Sequence, residues 1–141
     1  MVCTFFGHRD APETLNPIIE KTIIDLIENH MVSVFYVGGE GAFDRMVIRV
    51  LHRLQMEYVH IRCYRVLAYF PSDKDKDSLL ETIFPDGLEC VPRRYGIVHR
   101  NRWMIAQADV VITYVVHTMG GAAQFKHLAQ RKGRRVIELA E

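Results

Sequence analysis

The sequence has little net charge and no long apolar run, and its mostly apolar first residues lead us to expect no basic leader. Its 18 Lys and Arg residues are balanced by 17 Asp and Glu residues, for a formal net charge of +1. A chain without a strong positive field is poorly suited to binding a long polyanion, so we expect no nucleic-acid partner. Its apolar runs fall far short of the roughly 20 residues that span a bilayer, so we expect a cytoplasmic protein with no membrane partner.

The sequence also lacks the ligand spacings of common metal and disulfide sites. Cys3, Cys63 and Cys90 show no C-x-x-C spacing and lie in or near apolar runs, which predicts reduced thiols packed as small hydrophobic groups. The seven histidines form no H-x-x-x-H or H-E-x-x-H pair, and no glycine-rich loop carries the lysine of a nucleoside triphosphatase. We therefore expect no disulfide, no metal, no bound cofactor and no triphosphate hydrolysis.

The length and composition are those of one domain that covers residues 1–141. Apolar residues make up 49% of the chain, an ordinary share for a globular protein with a single core. Hydrophobic periodicity predicts strands at 2–6, 34–37, 60–69, 110–116 and 135–139, with a weak strand at 88–91. The first helix is expected to begin at Asp10, where Glu13 completes a capping-box pattern. Further helices are expected at 43–54, 97–108 and 122–130, with a helical turn at 78–83.

Three glycine-rich loops each follow one of these strands, at Gly7, at 38–41 and at 120–121. The alternation of strands and helices predicts a three-layer Rossmann-like α/β fold, with a mostly parallel sheet and helices on both faces. Right-handed crossovers would bring all three loops to the carboxyl edge of the sheet, where open α/β folds bind ligands. This convergence is the main evidence in the sequence for a ligand site.

The residues of these loops suit a phosphorylated ligand. Glycines let backbone amides approach a phosphate, and the first amides of a helix have no partner within it. Arg9 and Arg100 are expected to pair phosphates, and Asp44 or Asn101 to hydrogen-bond ribose hydroxyls. The alternatives are a solvent-exposed Arg9, an internal salt bridge for Arg100 and plain turns at the glycines. The candidate ligand-binding residues are Gly7, His8, Arg9, Gly38, Gly39, Gly41, Asp44, Arg100, Asn101, Gly120, Gly121 and Ala122.

Two further patterns in these loops carry less weight. The segment from Gly39 to Asp44 is similar to a dinucleotide fingerprint, but Asp44 replaces its third glycine, so the support for NAD is weak. His117 and His127 flank the last glycine loop, where they either contact a ligand or lie at the surface.

Three motifs resemble the SLOG superfamily: T-F-F-G-H-R-D at 4–10, R-N-x-x-M at 100–104 and G-G-A-A-Q-F at 120–125. This superfamily unites the DprA/SMF fold with the LOG proteins and with small YpsA-like proteins that open with a G-H-R motif. The chain is most similar to the YpsA-like branch, over nearly its whole length. The resemblance implies a domain that binds a nucleotide or nucleotide-sugar derivative, either ADP-ribose-like or a nucleoside phosphate, often as a homodimer or higher homo-oligomer.

LOG enzymes cleave the N-glycosidic bond of nucleoside monophosphates with the arginine of an R-K-x-x-M element and the glutamate of a P-G-G-x-G-T-x-x-E element. Arg100 and Met104 match the first element, with Asn101 in place of its lysine, so Arg100 is the candidate for a catalytic role. In the second element the glycines at 120–121 match, but His127 stands where the glutamate belongs. An imidazole brings no fixed negative charge to stabilise an oxocarbenium ion, which weighs against hydrolysis.

The sequence therefore leaves three hypotheses for function. The first is a nucleotide-derivative-binding protein that acts as a sensor or a sequestering module. The second is a LOG-like nucleoside monophosphate phosphoribohydrolase, and the third is a protein-interaction module. We also expect self-association, because Phe43 and Trp103 could contribute to an apolar surface patch.

Overall fold

The computed structural model of the protein describes residues 1–140. Over this range the chain forms six β-strands and four α-helices. The strands are β1 (Val2–Gly7), β2 (Val34–Val37), β3 (Arg62–Val66), β4 (Glu81–Ile83), β5 (Val110–Tyr114) and β6 (Arg135–Glu138). The helices are α1 (Asn16–Asn29), α2 (Gly41–Glu57), α3 (Gly96–Gln107) and α4 (Gly121–Arg131).

The six strands form one parallel sheet in the order β4-β3-β2-β1-β5-β6. Val2 lies opposite Val34 on one side of β1, and Cys3 lies opposite Val110 on the other. The chain winds outward from β1 to β4 and then returns to the other side of β1, so the strand order reverses between β1 and β5. This topology confirms the Rossmann-like fold that the sequence predicts, with helices on both faces of the sheet.

Helices α1 and α2 cover one face of the sheet. Ile19 and Ile23 of α1 and Met46 and Leu51 of α2 are fully buried, and they pack in one cluster with Phe35 of β2. The apolar stripe of each helix therefore faces the sheet, as its periodicity predicts.

Helices α3 and α4 cover the other face. Met104 and Ile105 of α3 pack in a second cluster with Phe125 of α4 and Phe6 of β1. The rings of Phe6 and Phe125 stack with their centroids 5.6 Å apart. Phe5, the preceding residue of β1, packs instead in the cluster under α1 and α2. Adjacent side chains of β1 therefore point to opposite faces of the sheet, as strand pleating requires.

One of the two residues proposed for an apolar surface patch lies elsewhere than expected. Phe43 is fully buried in the core under α2, so its predicted place at the surface is wrong. Trp103 is half-buried, and its ring lies 5.0 Å from that of Tyr36 on the sheet. The expected packing of the thiols is confirmed for Cys3 and Cys63, which are buried and free, and is wrong for the exposed Cys90.

Several element boundaries differ from the prediction. The third strand is shorter than expected, and Glu81–Ile83, expected as a helical turn, forms the edge strand β4 beside Tyr64–Val66. Pairing to β3 decides that conformation, because local preferences for strand are weaker than sheet contacts. The segment Leu88–Cys90, expected as a strand, is a short 3₁₀ helix that buries Leu88 after a glycine turn.

The first helix also begins later than predicted. A 3₁₀ turn at Glu13–Leu15 precedes α1, which begins at Asn16 with Pro17 in its first turn. Proline fits there because the first helical amides have no intrahelical acceptor. The predicted capping box at Asp10 and Glu13 is therefore wrong. None of the helices within residues 1–140 has both the length and the apolar content to cross a membrane.

Candidate functional site

The strand-order reversal places the loops after β1 and β5 side by side, next to the loop after β2. Between them lies a cleft of about 320 Å³, the switch-point cleft. Open α/β folds bind ligands at this position, outside the carboxyl ends of the strands. The residues that line it are Phe5, Phe6, Gly7, His8, Arg9, Glu40, Asp44, Ile97, Val98, Arg100, Asn101, Met104, Gly121, Ala122, Gln124 and Phe125.

Glycines let the loops after β1 and β2 pack tightly together. A Cβ at Gly41 would lie 2.6 Å from the Cα of Arg9, and Gly41 has a positive φ of 88°. The amide of Ala42 donates a hydrogen bond to the Arg9 carbonyl at 2.9 Å. Gly7 packs directly on the ring of Phe43. Gly7 and Gly41 therefore allow close packing of the loops at the carboxyl edge of the sheet. This role matches the alternative raised from the sequence, that the glycines form plain turns.

Arg100 reaches from α3 to the carboxyl ends of β2 and β3, and only 2% of it is exposed. Its Nε donates to Oδ1 of Asn101 at 2.8 Å, and its Nη1 donates to the carbonyl of Val66 at 3.1 Å. Nη1 also lies 3.6 Å from Oε1 of Glu40. Burial lowers the pKa of the Arg100 guanidinium, but the charges of Asp44 and Glu40 oppose this, and the group stays cationic at neutral pH.

Gly38 makes room for this guanidinium. A Cβ at Gly38 would lie 3.1 Å from Cζ of Arg100 and 3.0 Å from Oδ2 of Asp44. Both contacts are tighter than side chains normally allow, so the residue at this position must be small. The sequence suggested that Gly38 presents its amide to a ligand, and the structure shows that it accommodates Arg100.

Asp44 is a buried carboxyl in the same cleft, with 8% of the residue exposed. Its Oδ2 accepts a hydrogen bond from the amide of Glu40 at 3.0 Å. Burial raises the pKa of Asp44 to about 7, although the positive charge of Arg100 and the Glu40 amide both lower it. At neutral pH this carboxyl is therefore present in both its protonated and its ionised form.

The amino end of α4 forms the opposite wall. Gly121 and Ala122, its first residues, line the cleft, and nothing lies within 4 Å of the positions where Gly120 and Gly121 would carry a Cβ. The first amides of this helix have no intrahelical acceptors, and the helix dipole favours an anion there. The open space at these two glycines is compatible with the predicted phosphate contact.

His8 lines the cleft and also holds the loop after β5. Its Nε2 accepts hydrogen bonds from the amides of Val116 at 2.9 Å and His117 at 3.2 Å. Only a neutral imidazole with its proton on Nδ1 can accept at Nε2. Burial, and then the neighbouring His117, lower the pKa of His8 and favour that form. His8 thus positions the loop that leads into α4.

The structure brings most of the predicted ligand-binding residues to one cleft. The exceptions are Gly38, Gly39, Gly41 and Gly120, which do not line it. Arg9 lines the cleft and is exposed, so its side chain is accessible to a ligand. His127 is also exposed but lies outside the cleft lining.

Two carboxylates near the cleft were not identified from the sequence. Glu40 lines the cleft beside Arg100. Glu138 accepts from the amide of Val115 at 2.9 Å and from Nζ of Lys126 at 2.8 Å, which ties β6 to the loop after β5 and to α4. Glu40 immediately precedes α2 and Glu138 is the last residue of β6, and neither position carries a sequence signal for such contacts. Within residues 1–140, no three His, Cys, Asp or Glu side chains are grouped as metal ligands would be.

No protein-family model and no curated protein matches the chain. Among solved structures, the chain is similar to the X-ray structure of DNA processing protein A (DprA) from Streptococcus pneumoniae, with a TM-score of 0.67 and 16% sequence identity. The alignment covers 96% of this chain and 49% of that protein, so the chain spans about half of its length. The chain therefore has the Rossmann-like fold of a DprA domain, in agreement with the fold that the SLOG resemblance implies.

Proposed function

We propose that the protein binds a nucleotide or nucleotide-sugar derivative in the switch-point cleft and acts as a sensor or sequestering module. The observation that carries the proposal is the incompletely neutralised charge of Arg100. Its closest partners, Asn101 and Val66, are neutral oxygens, and the carboxylate of Glu40 is 3.6 Å away. Within residues 1–140, Asp44 forms no ion pair with Arg100, and burial raises the pKa of its carboxyl. A phosphate bound in the cleft would supply the negative charge that Arg100 lacks.

The rest of the cleft supports a ligand that is only partly phosphate. Opposite Arg100, the amino end of α4 offers backbone amides, and Arg9 offers a second guanidinium at the rim. Phe6, Val98 and Phe125 give the cleft an apolar part suited to a base or sugar face. This combination fits a nucleoside phosphate better than it fits inorganic phosphate.

The experiment is a thermal-shift screen of the purified protein against AMP, NAD and ADP-ribose, with each mixture then analysed for products. A ligand at about a hundredfold over its dissociation constant should raise the free energy of unfolding by about 3 kcal/mol. Arg9→Gln should weaken binding without lowering stability, because this side chain is exposed. Arg102→Gln is the control, since Arg102 is exposed on α3 outside the cleft lining. If none of these compounds shifts the unfolding of the wild-type protein, the proposal fails.

One observation favours the second hypothesis, an N-glycoside hydrolase. Asp44 lies in the cleft near Arg100 with a pKa raised to about 7, the range in which a carboxylic acid donates a proton efficiently at neutral pH. In this hydrolysis Asp44 would protonate the leaving base while Arg100 holds the phosphate, and water would add its oxygen to C1′ of the ribose as the C1′–N bond breaks. His127, in the position of the LOG glutamate, lies outside the cleft lining and offers no second carboxylate. This function is supported if the wild-type protein releases free adenine from AMP and Asp44→Asn does not. If AMP is recovered intact from the wild-type protein, hydrolysis is excluded for that substrate.

A cytoplasmic location, self-association and a place in the YpsA-like branch stay predictions from the sequence.

A further inference from the structure

A second cleft, of about 600 Å³, opens on the far side of Arg100. It lies between the ends of β2 and β3 and the 3₁₀ turn at Arg93–Tyr95 that precedes α3. Four of the side chains that line it are basic and only two, Glu40 and Asp75, are acidic. The second cleft is therefore electropositive, although the chain as a whole is nearly neutral.

The two clefts share one wall. Arg100 and Glu40 are the residues that line both of them. Their contact, 3.6 Å between Nη1 and Oε1, is loose for an ion pair, and the Glu40 side chain is 37% exposed. The two clefts therefore meet at Arg100 and Glu40.

Two adjacent glycines each face a guanidinium. A Cβ at Gly38 would meet Arg100, whereas a Cβ at Gly39 would lie 3.4 Å from Nε of Arg65. Arg65, at the end of β3, forms an ion pair with Asp75 from the loop that follows. In the second cleft, the carboxylate of Asp75 therefore already pairs with Arg65. This pair shows that the cleft has room for an anionic group beside an arginine.

Other cations in the second cleft are not neutralised in this way. Within residues 1–140, neither Arg93 nor Lys74 pairs with a carboxylate. The guanidinium of Arg93 instead lies over the ring of Tyr69, with Cζ 4.1 Å from the ring centroid. This stacking holds Arg93 beside Tyr69 in the lining of the second cleft, and within residues 1–140 its guanidinium forms no ion pair.

We propose that the second cleft binds a second anionic group of the same ligand, so that the ligand carries negative charge on both sides of Arg100. This inference rests on the proposed function. It narrows the ligand to nucleotides that carry, besides one phosphate, a second phosphate or a carboxylate at a separate position. Arg93 and Lys74 bind the second anion, and Arg65 joins them when Asp75 moves away.

The test compares AMP, with one phosphate, and the dinucleotide pApA, with two phosphates separated by a nucleoside, by isothermal titration. The wild-type protein should bind pApA about tenfold or more tightly than AMP, the gain expected from one added charge-assisted contact. Arg93→Gln should remove most of that advantage and leave the affinity for AMP within about twofold. Arg94→Gln is the matched control, because Arg94 is the next residue, is exposed and lies outside the second cleft.

The titrations with AMP and pApA test the second cleft and the proposed function separately. If AMP binds and pApA binds no better, the second cleft is not an anion site while the proposed function stands. If Arg93→Gln weakens AMP and pApA equally, or if Arg94→Gln has the same effect as Arg93→Gln, the assignment to Arg93 is wrong. If neither AMP nor pApA binds the wild-type protein, this inference fails, whereas the proposed function fails only if NAD and ADP-ribose also give no thermal shift.

Discussion

The carboxylate of Asp44 accepts a hydrogen bond at 3.0 Å from the backbone amide of Glu40, across the first turn of α2. This bond favours the ionised carboxylate, and so does the positive charge of Arg100. Burial has the larger effect and raises the pKa of Asp44 to about 7. The cleft therefore contains an acid that changes its charge within the physiological pH range.

The first prediction concerns the pH dependence of stability. The ordinary pKa of Asp44 is 3.8 and its folded-state pKa is about 7, so between these values the folded protein binds the extra proton. Stability must then fall as the pH rises through this window. Asp44→Asn removes the titration with little change of shape. Its free energy of unfolding, relative to the wild type, should grow by up to about 4 kcal/mol between about pH 4 and pH 8. Chemical denaturation at several pH values measures this, and parallel profiles would contradict it.

The second prediction concerns Gly38→Ala. The added methyl group would press on Cζ of Arg100 at 3.1 Å and on Oδ2 of Asp44 at 3.0 Å, and a buried guanidinium has little room to move. We expect a loss of about 1–3 kcal/mol in stability, together with loss of any AMP binding. Gly121→Ala is the control for stability, because no atom lies within 4 Å of its added methyl group. Equal unfolding temperatures for the two variants would show that Gly38 is not confined by Arg100.

The sequence was sufficient to predict the fold because its signals are local. The β-branched run at 110–116 and the apolar stripes of α1 and α2 each specify one element, and the alternation of elements then specifies a parallel sheet. The same logic brought the loops at Gly7 and 120–121 to one edge. The prediction failed at β4, because this segment has no strong local preference for a strand and becomes one by pairing with β3.

The site was predictable in part. Arg100 could be identified from the R-N-x-x-M motif and from the capacity of a guanidinium to pair a phosphate. Asp44 was a candidate for ligand contact, but no local pattern predicts its burial near Arg100 of α3. The ion pair of Arg65 with Asp75 likewise joins β3 to the loop that follows it. Contacts of this kind depend on tertiary packing and leave no periodic pattern.

The third prediction concerns His8→Phe. Phenylalanine keeps an aromatic ring next to Tyr114 and His117 but has no acceptor for the amides of Val116 and His117. We expect a loss of about 1–2 kcal/mol and faster hydrogen exchange at these two amides. His127→Phe, at an exposed position, is the control and should change neither quantity.

The wild-type protein should show a related pH effect at His8. Burial and His117 hold the pKa of His8 below its ordinary value of 6.5, so the folded state binds fewer protons than the unfolded state. The contribution of His8 is therefore complete above pH 6.5 and is lost as the pH falls through its folded-state pKa. Exchange at Val116 and His117, corrected for the intrinsic rate, should rise on acidification in the wild type and not in His8→Phe. If both proteins respond alike, His8 does not hold the loop.

The fourth prediction concerns Glu138→Gln. Burial raises the pKa of Glu138, but hydrogen bonds from Lys126, Ala140, Val115 and Thr113 outweigh it and hold the pKa below its ordinary value of 4.5. The ionised group therefore stabilises the fold above pH 4.5, and this contribution is lost as the pH falls through the folded-state pKa. Glutamine has one acceptor oxygen where glutamate has two, so it cannot keep all four bonds.

We therefore expect Glu138→Gln to lower stability by about 1–3 kcal/mol near neutral pH and to reduce the loss of stability on acidification. Glu57→Gln removes the same charge from an exposed position at the end of α2 and should leave the profile unchanged. Because Glu138 ties the loop after β5 to Lys126 on α4, the variant should also loosen the wall of the switch-point cleft that carries Gly121. Thermal unfolding with and without AMP separates the two effects: a purely structural role lowers both curves equally, whereas a role in positioning α4 also reduces the shift that AMP produces.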